Sequence, residues 1–321
     1  MQKPLVTSSP HLFHMDTTRG IMFDVILALI PATVAGTVIF GLRSLLVVGV
    51  CVLSAIVSEY LICKILKRNT TITDFSACLT GLLLALNLPV SIPLWMAALG
   101  SVIAIVVVKQ FFGGLGQNFA NPAITARIVL LVSFPSAMTT WSNPVLSTTV
   151  SSVDAVTSAT PLAAQYGTYT LKQLAFGLHP GSLGETCAVL LLAGGLYLIV
   201  RKVISPAIPF SFIGTVAVFT FLFSLDGGVM SALNITAEAV LSGGLILGAF
   251  FMATDYVTSP SNFKARLIFG FGCGFITFII RHFGALPEGV SYSILLMNII
   301  TPHLNNMFKP KPFGMEAAVN E

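Results

Sequence analysis

The sequence contains very little charge. Lysine and arginine supply 16 residues and aspartate and glutamate 12, so that charged residues make up 9% of 321. Soluble domains carry roughly 25% charged residues, and this composition therefore excludes an ordinary soluble fold. The net charge of +4 is too small to indicate a nucleic-acid partner. With 55% hydrophobic residues, the composition predicts an all-α integral membrane protein.

Cysteine is also scarce, and no two cysteines lie close together. The five are Cys51, Cys63, Cys78, Cys187 and Cys273, without any Cys-x-x-Cys pair. An iron–sulfur cluster usually draws on closely spaced thiolates, so this chain is not expected to hold one by itself. Because most of the five fall within apolar runs, we expect them to be packing residues.

Long apolar runs dominate the rest of the chain. A transmembrane helix needs about 20 mostly apolar residues, and ten segments qualify or come close, of which the third and fifth are short and adjoin Pro or Gly. These predicted spans are 21–41, 44–66, 75–89, 92–112, 121–135, 184–200, 207–224, 236–254, 265–281 and 290–304. The polar residues 1–20 lack the apolar core of a signal peptide, and residues 305–321 form a polar tail.

The cations predict an orientation. If the N-terminus is cytoplasmic, three cations fall on the outer side and Arg127 lies within the fifth span. The other twelve of the sixteen fall on the cytoplasmic side: Lys3, Arg19, Lys64, Lys67, Arg68, Lys109, Arg201, Lys202, Lys264, Arg266, Lys309 and Lys311. Positive charge is retained on the cytoplasmic side of membrane proteins. Both termini are therefore expected to be cytoplasmic, and loop 136–183 is expected to face outward.

The ten spans divide into two halves, 21–135 and 184–304, of five helices each. An odd number makes the second half enter from the opposite side, which is the inverted-repeat plan of many transport proteins. Two short echoes support this plan: LTGLLL at 79–84 with LSGGLI at 241–246, and NFANPAI at 118–124 with NIITPHL at 298–304. The alternative is chance similarity between apolar segments.

The outward loop contains a short motif, DAVTSATPL at 154–162. The pattern Asp-x-x-Thr-small-Ala-Thr is similar to the acceptor site for covalent flavinylation, in which a transferase esterifies a threonine with the phosphate of FMN. A threonine hydroxyl is a weak nucleophile and needs such an activating enzyme. The alternative is a helix start, with Thr160 as the N-cap and Pro161 at the first helical position.

Four blocks together carry a wider resemblance. They are DFSACLTGLLLALNLP at 74–89, KQFFGGLGQNFANPA at 109–123, the motif at 154–162, and MATDYVTSP at 252–260. In this order and spacing, the chain resembles the family that contains the D subunit of the Rnf complex and the B subunit of sodium-translocating NADH:quinone reductase. The short N-terminal segment favours the Rnf type. Ser158 departs from the commonest motif, in which Gly is frequent.

The resemblance implies two flavins. It implies covalent FMN on Thr160, with Asp154, Thr157, Ser158 and Ala159 completing the recognition pattern. It also implies non-covalent riboflavin near the cytoplasmic side, for which the second block is the natural place. The expected residues there are Gly114, Gly116, Asn118 and Asn121. The alternative is that the glycines only turn the chain and the asparagines cap the fifth helix.

Ion movement, which the resemblance also implies, would need polar groups near the spans. Intramembrane carboxylates are costly and often functional, and the candidates for an ion path are Glu59, Asp74, Glu238 and Asp255. Alternatively, Asp74 caps the third helix and Glu59 lies close enough to the interface to be hydrated. Arg127 would either stabilise a reduced flavin or a phosphate, or pair with one of these acids.

The expected function is therefore an electron-transfer subunit of an Rnf-type ferredoxin:NAD⁺ oxidoreductase, without a complete active site of its own. Its expected partners are other membrane and peripheral subunits, including an FMN-bearing one on the outer face, with a flavinyltransferase for maturation and Na⁺ or H⁺ as the ion. The expected location is a bacterial or archaeal inner membrane. The rival is an inverted-repeat solute transporter or channel without cofactor, and a third possibility is a structural anchor.

Overall fold

The computed structural model describes residues 17–68, 70–144, 162, 169–185, 187–284 and 289–309, and helices are the regular elements within these ranges. Two helices, α4 and α11, continue as the π-helices Ile103–Gln110 and Gly248–Met252. The helices are α1 (Thr18–Phe40), α2 (Leu42–Ile65), α3 (Ser76–Leu86), α4 (Leu94–Val102), α5 (Pro122–Ser133), α6 (Pro135–Met138), α7 (Leu171–Phe176), α8 (Ala188–Val200), α9 (Ala207–Phe223), α10 (Val229–Leu241), α11 (Leu245–Leu247), α12 (Phe263–Phe283) and α13 (Val290–Met307).

The chain is a multi-pass membrane protein. In the described residues, α1, α2 and α12 are long and apolar enough to cross a membrane, and α10 with the α11 segment forms a fourth candidate bent by 59°. Five further apolar helices are shorter, and α13 completes the set. Each of the ten predicted segments overlaps one of these helices, but the crossing of the membrane by all ten stays a prediction.

Side-chain contacts show which helix ends lie together at one end of the bundle. Glu59 near the end of α2, Ser76 at the start of α3 and Lys109 at the end of α4 bond to one another, and Asp24 near the start of α1 pairs with Arg201 after α8. Ten cations lie at this end, which we call the basic end: Arg19, Lys64, Lys67, Arg68, Lys109, Arg201, Lys202, Lys264, Arg266 and Lys309. The predicted segregation of charge is therefore present in the fold.

Glycines allow the closest helix contacts. Gly270 and Gly274 of α12 lie against α9, where an added methyl group would meet the carbonyl oxygens of Ile208 and Phe212 at 2.8 and 2.7 Å. Gly81 of α3 lies equally close to the backbone of Cys51 in α2. Small residues take these positions because apolar side chains gain nothing by leaving lipid, so helices associate through close packing.

The two sequence echoes do not occupy equivalent positions. Pro122 is the first residue of α5, whereas Pro302 lies inside α13. Likewise, Gly81 is inside α3, whereas Gly243 lies in the break between α10 and α11 with a φ of 68°. These two echoes therefore differ in local structure, and the inverted repeat stays a prediction.

Candidate functional site

A cleft of about 730 Å³ opens at the basic end. Six parts of the chain meet there: the starts of α1 and α3, the end of α4, the approach to α5, the turn after α8 and the segment after α11. Its walls are mainly apolar, and the polar side chains among its lining residues are Ser76, Thr80, Lys109, Asn118, Asn121, Thr254, Asp255 and Tyr256. The structure therefore brings Asn118, Asn121 and Asp255 together, as residues of one cleft.

Asn121 is fully engaged in local structure. Its side-chain oxygen accepts hydrogen bonds from the N–H groups of Ala123 and Ile124, at 3.0 and 3.3 Å, and so caps α5. Its amide nitrogen donates to the carbonyl of Met252, the last π-helical residue, at 3.2 Å. Asn121 therefore caps α5, which is the alternative that the sequence analysis left open. Its bond to Met252 holds the start of α5 against the segment after α11.

Asn118 differs from Asn121. Its side-chain oxygen is buried and has no hydrogen-bond partner within the described part of the chain. A buried polar atom without a partner is costly, and such atoms commonly mark a place where a water or ligand binds. Because Asn118 lines the cleft, it is the residue whose unused acceptor faces a prospective ligand.

The glycines of the second block shape the backbone. Gly113, Gly114 and Gly116 have φ values of 125°, 99° and 94°, a region in which residues with a Cβ are strained. Gly114 and Gly116 are not among the residues that line the cleft. The alternative that these glycines only turn the chain is therefore enough to explain Gly114 and Gly116. Their role in cofactor binding stays a prediction.

A buried ion pair lies beside the cleft. Lys109 Nζ lies 2.8 Å from Glu59 Oε1, and the two side chains are 1% and 0% exposed. Thr71 and Gln110 also donate to Oε1, at 2.6 and 3.1 Å. The alternative in which Glu59 is hydrated at an interface does not fit this placement, because the side chain is enclosed by protein and Lys109, distant in the sequence, neutralises it.

The network extends from this pair to Asp74. Lys109 Nζ donates to Ser76 Oγ at 2.6 Å, and Ser76 Oγ donates to Asp74 Oδ1 at 2.5 Å. Asp74 Oδ1 also accepts from the N–H of Ser76, the first residue of α3, at 2.8 Å. Asp74 therefore holds the start of α3 and contacts the buried lysine through one hydroxyl.

Asp255 lies on the other side of the cleft, in the loop after α11. Burial raises the pKa of its carboxyl group above the usual value, although hydrogen bonds from Thr258 and from the backbone of Val257 and Tyr256 act in the opposite direction. A carboxyl group of this kind binds a proton more readily than an exposed aspartate.

Two predicted residues lie elsewhere. Glu238 is in α10, in an open groove of about 1,450 Å³ that includes Lys172 and Tyr169, far from the basic end. Arg127 is buried within α5, and its Nη1 donates to Ser291 Oγ of α13 at 2.5 Å; it does not line the cleft. The predicted acids therefore do not form one continuous row in the fold.

The flavinylation motif lies outside the described residues. Asp154, Thr157, Ser158, Ala159 and Thr160 have no described placement. Leu162, two residues after Thr160, packs against Gly243 at the break between α10 and α11, beside the guanidinium of Arg281. Arg281 donates to the carbonyls of Ala239, Ser242 and Gly243 at 2.7–3.2 Å, and so satisfies the end of α10.

Lys109 is a cleft-lining residue that the sequence analysis did not single out. The sequence counts it as a cytoplasmic charge, but the structure buries it as a partner of Glu59. One signal was available, because Lys109 and Gln110 end an otherwise apolar run and Glu59 lies within another. Charged residues buried in a membrane bundle usually pair with one another.

Comparisons with known proteins agree over nearly the whole chain. The profile described as the NQR2, RnfD, RnfE family matches residues 5–314. The D subunit of the Na⁺-translocating ferredoxin:NAD⁺ oxidoreductase complex of Acetobacterium woodii is 45% identical over 317 residues, covering 97% of this chain and 95% of that protein. The D subunit of the proton-translocating ferredoxin:NAD⁺ oxidoreductase complex of Clostridium ljungdahlii is 45% identical over 327 residues, covering 96% of each. The D subunit of the ion-translocating oxidoreductase complex of Stutzerimonas stutzeri is 38% identical, covering 92% of each.

Proposed function

Because the chain belongs to the NQR2, RnfD, RnfE family, we propose that it is a membrane electron-transfer subunit of an ion-translocating ferredoxin:NAD⁺ oxidoreductase complex. The observation that carries this proposal is the 45% identity to the D subunits of two such complexes along nearly the full length of the chain. The other subunits of such a complex would then be its partners, and the ferredoxin and NAD⁺ chemistry would take place on them.

The first part of the proposal is a covalent FMN on Thr160, esterified through its phosphate by a flavinyltransferase. The support is the DAVTSATPL motif. A flavin would supply the redox chemistry, while the protein supplies attachment, spacing and electrostatics. Ser158 is small enough to replace the more frequent glycine of the motif.

The test is fluorescence of the denatured protein in a gel. The protein expressed with its transferase is expected to fluoresce under ultraviolet light, and Thr160→Ala is expected to abolish the signal because the ester oxygen is lost. Thr148→Ala, in the same loop but outside the motif, is the matched control and should retain full fluorescence. A dark wild-type band would refute covalent attachment and favour the rival function, a solute transporter or channel without cofactor.

The second part is a non-covalent riboflavin in the cleft at the basic end. The residues fit a flat, mainly apolar ring with one polar edge. Phe250 and Phe251 contribute apolar wall, and Asn118 offers a buried acceptor without a partner in the described ranges. The isoalloxazine edge has an imide N–H that such an acceptor can bind. Lys109 lines the same cleft, and its ammonium group, paired with Glu59, would be a hydrogen-bond donor near the ring.

Flavin extracted without breaking covalent bonds tests this assignment. Asn118→Ala removes the acceptor, and one hydrogen bond contributes about 0.5–1.5 kcal/mol, so retention of riboflavin is expected to weaken roughly two- to tenfold. Gln117→Ala changes a neighbouring exposed amide and should leave riboflavin bound. Equal riboflavin content in both variants would remove Asn118 from the site.

The third part concerns ion coupling. The Glu59–Lys109–Ser76–Asp74 network reaches the cleft through Lys109 and Ser76. A change of charge in the cleft would therefore alter the affinity of this network for a proton or Na⁺, since charges interact strongly where water is excluded. Asp255 would be a second proton or cation group. The equally identical relatives are named for different ions, so identity does not select Na⁺ or H⁺.

Finally, we propose that all ten helices cross a bacterial or archaeal inner membrane as two inverted halves, with both termini cytoplasmic. The concentration of cations at the basic end supports this orientation. The loop with Thr160 would then be extracytoplasmic, where an FMN-bearing partner subunit could exchange electrons with it.

A further inference from the structure

A second pocket at the basic end differs from the cleft in its chemistry. It is an open pocket between the turn that joins α8 to α9 and the segment that leads into α12. Two cations, Lys202 and Arg266, contribute to its lining, together with the hydroxyl side chains of Ser205 and Ser259. No carboxylate is among the lining residues that the structure describes. This combination favours an anion.

Neither cation is neutralised within the described part of the chain. Nearby, Lys109 pairs with Glu59 and Arg201 pairs with Asp24. Arg201 is thus occupied, whereas its neighbour Lys202 forms no ion pair. Arg266 uses only its Nε, which donates to the carbonyl of Pro260 at 2.9 Å. Two unneutralised positive charges on one pocket attract an anion and leave donors for its oxygens.

The local backbone keeps these groups at the pocket. Lys202 has a φ of 59°, a left-handed conformation that is uncommon for a residue with a side chain. The Tyr256 hydroxyl donates to the carbonyl of Val203, and this bond joins the two loops that form the pocket walls. Ser205 Oγ accepts from the N–H of Ala207 at 3.4 Å, so its own proton remains available to a ligand.

The rest of the pocket is apolar. Ile199, Val203 and Ile208 line it beside the polar groups, and Val200 and Phe210 next to it are 79% and 62% exposed. A site for a free polar anion has no need of such a surface. A phosphate attached to acyl chains would satisfy both parts, because its chains could follow the exposed apolar side of α8 and α9.

We propose that this pocket binds the phosphate group of an anionic phospholipid. Basic pockets on the cytoplasmic side of membrane proteins bind such head groups, and each cation near an anionic membrane surface contributes about 1 kcal/mol, which is about fivefold in affinity. The pocket shares Ile204, Thr254 and Tyr256 with the cleft, but its cations are its own, and no residue of the FMN motif and neither Asn118 nor Lys109 lines it.

The test compares bound phospholipid in two double variants of the complex purified in detergent. Lys202→Gln with Arg266→Gln removes both pocket cations, and Lys67→Gln with Lys264→Gln removes two exposed cations of the same end that do not line the pocket. Native mass spectrometry would measure phosphatidylglycerol and phosphatidylcholine adducts after addition of each lipid. The pocket variant is expected to bind phosphatidylglycerol about 30-fold more weakly, the control variant like the wild type, and phosphatidylcholine should not depend on either change.

Two results would overturn the proposal. One is an equal loss of phosphatidylglycerol in both double variants, which would mean that only the overall charge of this end matters. The other is binding of inorganic phosphate, with the same dependence on Lys202 and Arg266, in a protein that retains no phosphatidylglycerol; the ligand would then be free phosphate. Elution as the intact complex and an unchanged melting temperature confirm that each variant is folded.

Discussion

The buried pair of Glu59 and Lys109 shows how one residue sets the environment of others. Either charge alone would be expensive in this position, because it would have neither water nor a counter-charge. Together they neutralise each other, and Thr71, Gln110 and Ser76 add hydrogen bonds to Glu59 Oε1 and Lys109, whereas Glu59 Oε2 has no hydrogen-bond partner among the described residues. Because Lys109 also lines the cleft, the pair joins the interior of the bundle to the prospective ligand site.

Removing one member of this pair should therefore cost more than removing both. Lys109→Met leaves Glu59 buried without its counter-charge and is expected to lower the free energy of unfolding by about 3–5 kcal/mol. Adding Glu59→Gln to that variant should recover part of the loss. Lys64→Met, at an exposed lysine of the same helix end, is the control with a small effect. Thermal unfolding in detergent measures all three, and a double variant less stable than Lys109→Met would contradict the pairing.

At the residue level, the sequence predicted which residues lie at the site better than it predicted their hydrogen-bond and ion-pair partners. Asn118 and Asn121 were predicted as neighbours in one site, and both line the cleft. Yet only the structure separates them, since Asn121 caps α5 whereas the oxygen of Asn118 is unused in the described ranges. Lys109 was assigned to the surface because its partner, Glu59, lies in another helix, and sequence spacing carries no information on that distance.

At the level of elements, the contact of α9 with α12 depends on glycine. A methyl group on Gly274 would lie 2.6 Å from Thr215 Cβ and 2.7 Å from the carbonyl oxygen of Phe212. Both distances are shorter than a real carbon contact, so the two helices would have to separate. Gly214 in α9 has open space around it and thus provides a matched comparison.

We expect Gly274→Ala to destabilise the protein by about 1–3 kcal/mol, the usual cost of overpacking. Gly214→Ala should be neutral or stabilising by up to about 1 kcal/mol, because alanine favours a helix over glycine. The melting temperatures of the two variants in detergent measure this difference in stability. Equal behaviour of the two variants would show that the α9–α12 contact is looser than described.

The sequence predicted where most helices begin and end, but it did not predict where a helix is broken. The predicted span 92–112 coincides with α4 and its π-helical continuation, and 265–281 with α12. The predicted span 236–254, in contrast, is the bent pair of α10 and α11, which begins seven residues earlier. Apolar composition is continuous across this break, and only the left-handed backbone of Gly243 and Gly244 reveals it.

For the whole molecule, the concentration of cations at the basic end predicts the orientation of the protein in the membrane. The prediction is that this end is cytoplasmic. With a membrane-impermeant thiol reagent on intact cells, Arg43→Cys at the opposite end should be labelled, whereas Lys67→Cys should be labelled only after lysis. The native cysteines are buried or half-buried, so the unmodified protein serves as the blank. Labelling of Lys67→Cys in intact cells would reverse the orientation.

The sequence by itself determined the class of the protein, the positions of its helices and the segregation of its cations. These properties depend on the transfer of each side chain between water and lipid, which adds up along the chain and needs no knowledge of neighbours. Only the tertiary structure decided that Glu59 pairs with Lys109, that Glu238 lies far from the other acids, and that Lys202 and Arg266 meet at one pocket. Those facts depend on contacts between residues that are tens of positions apart, and such contacts arise only when the helices pack.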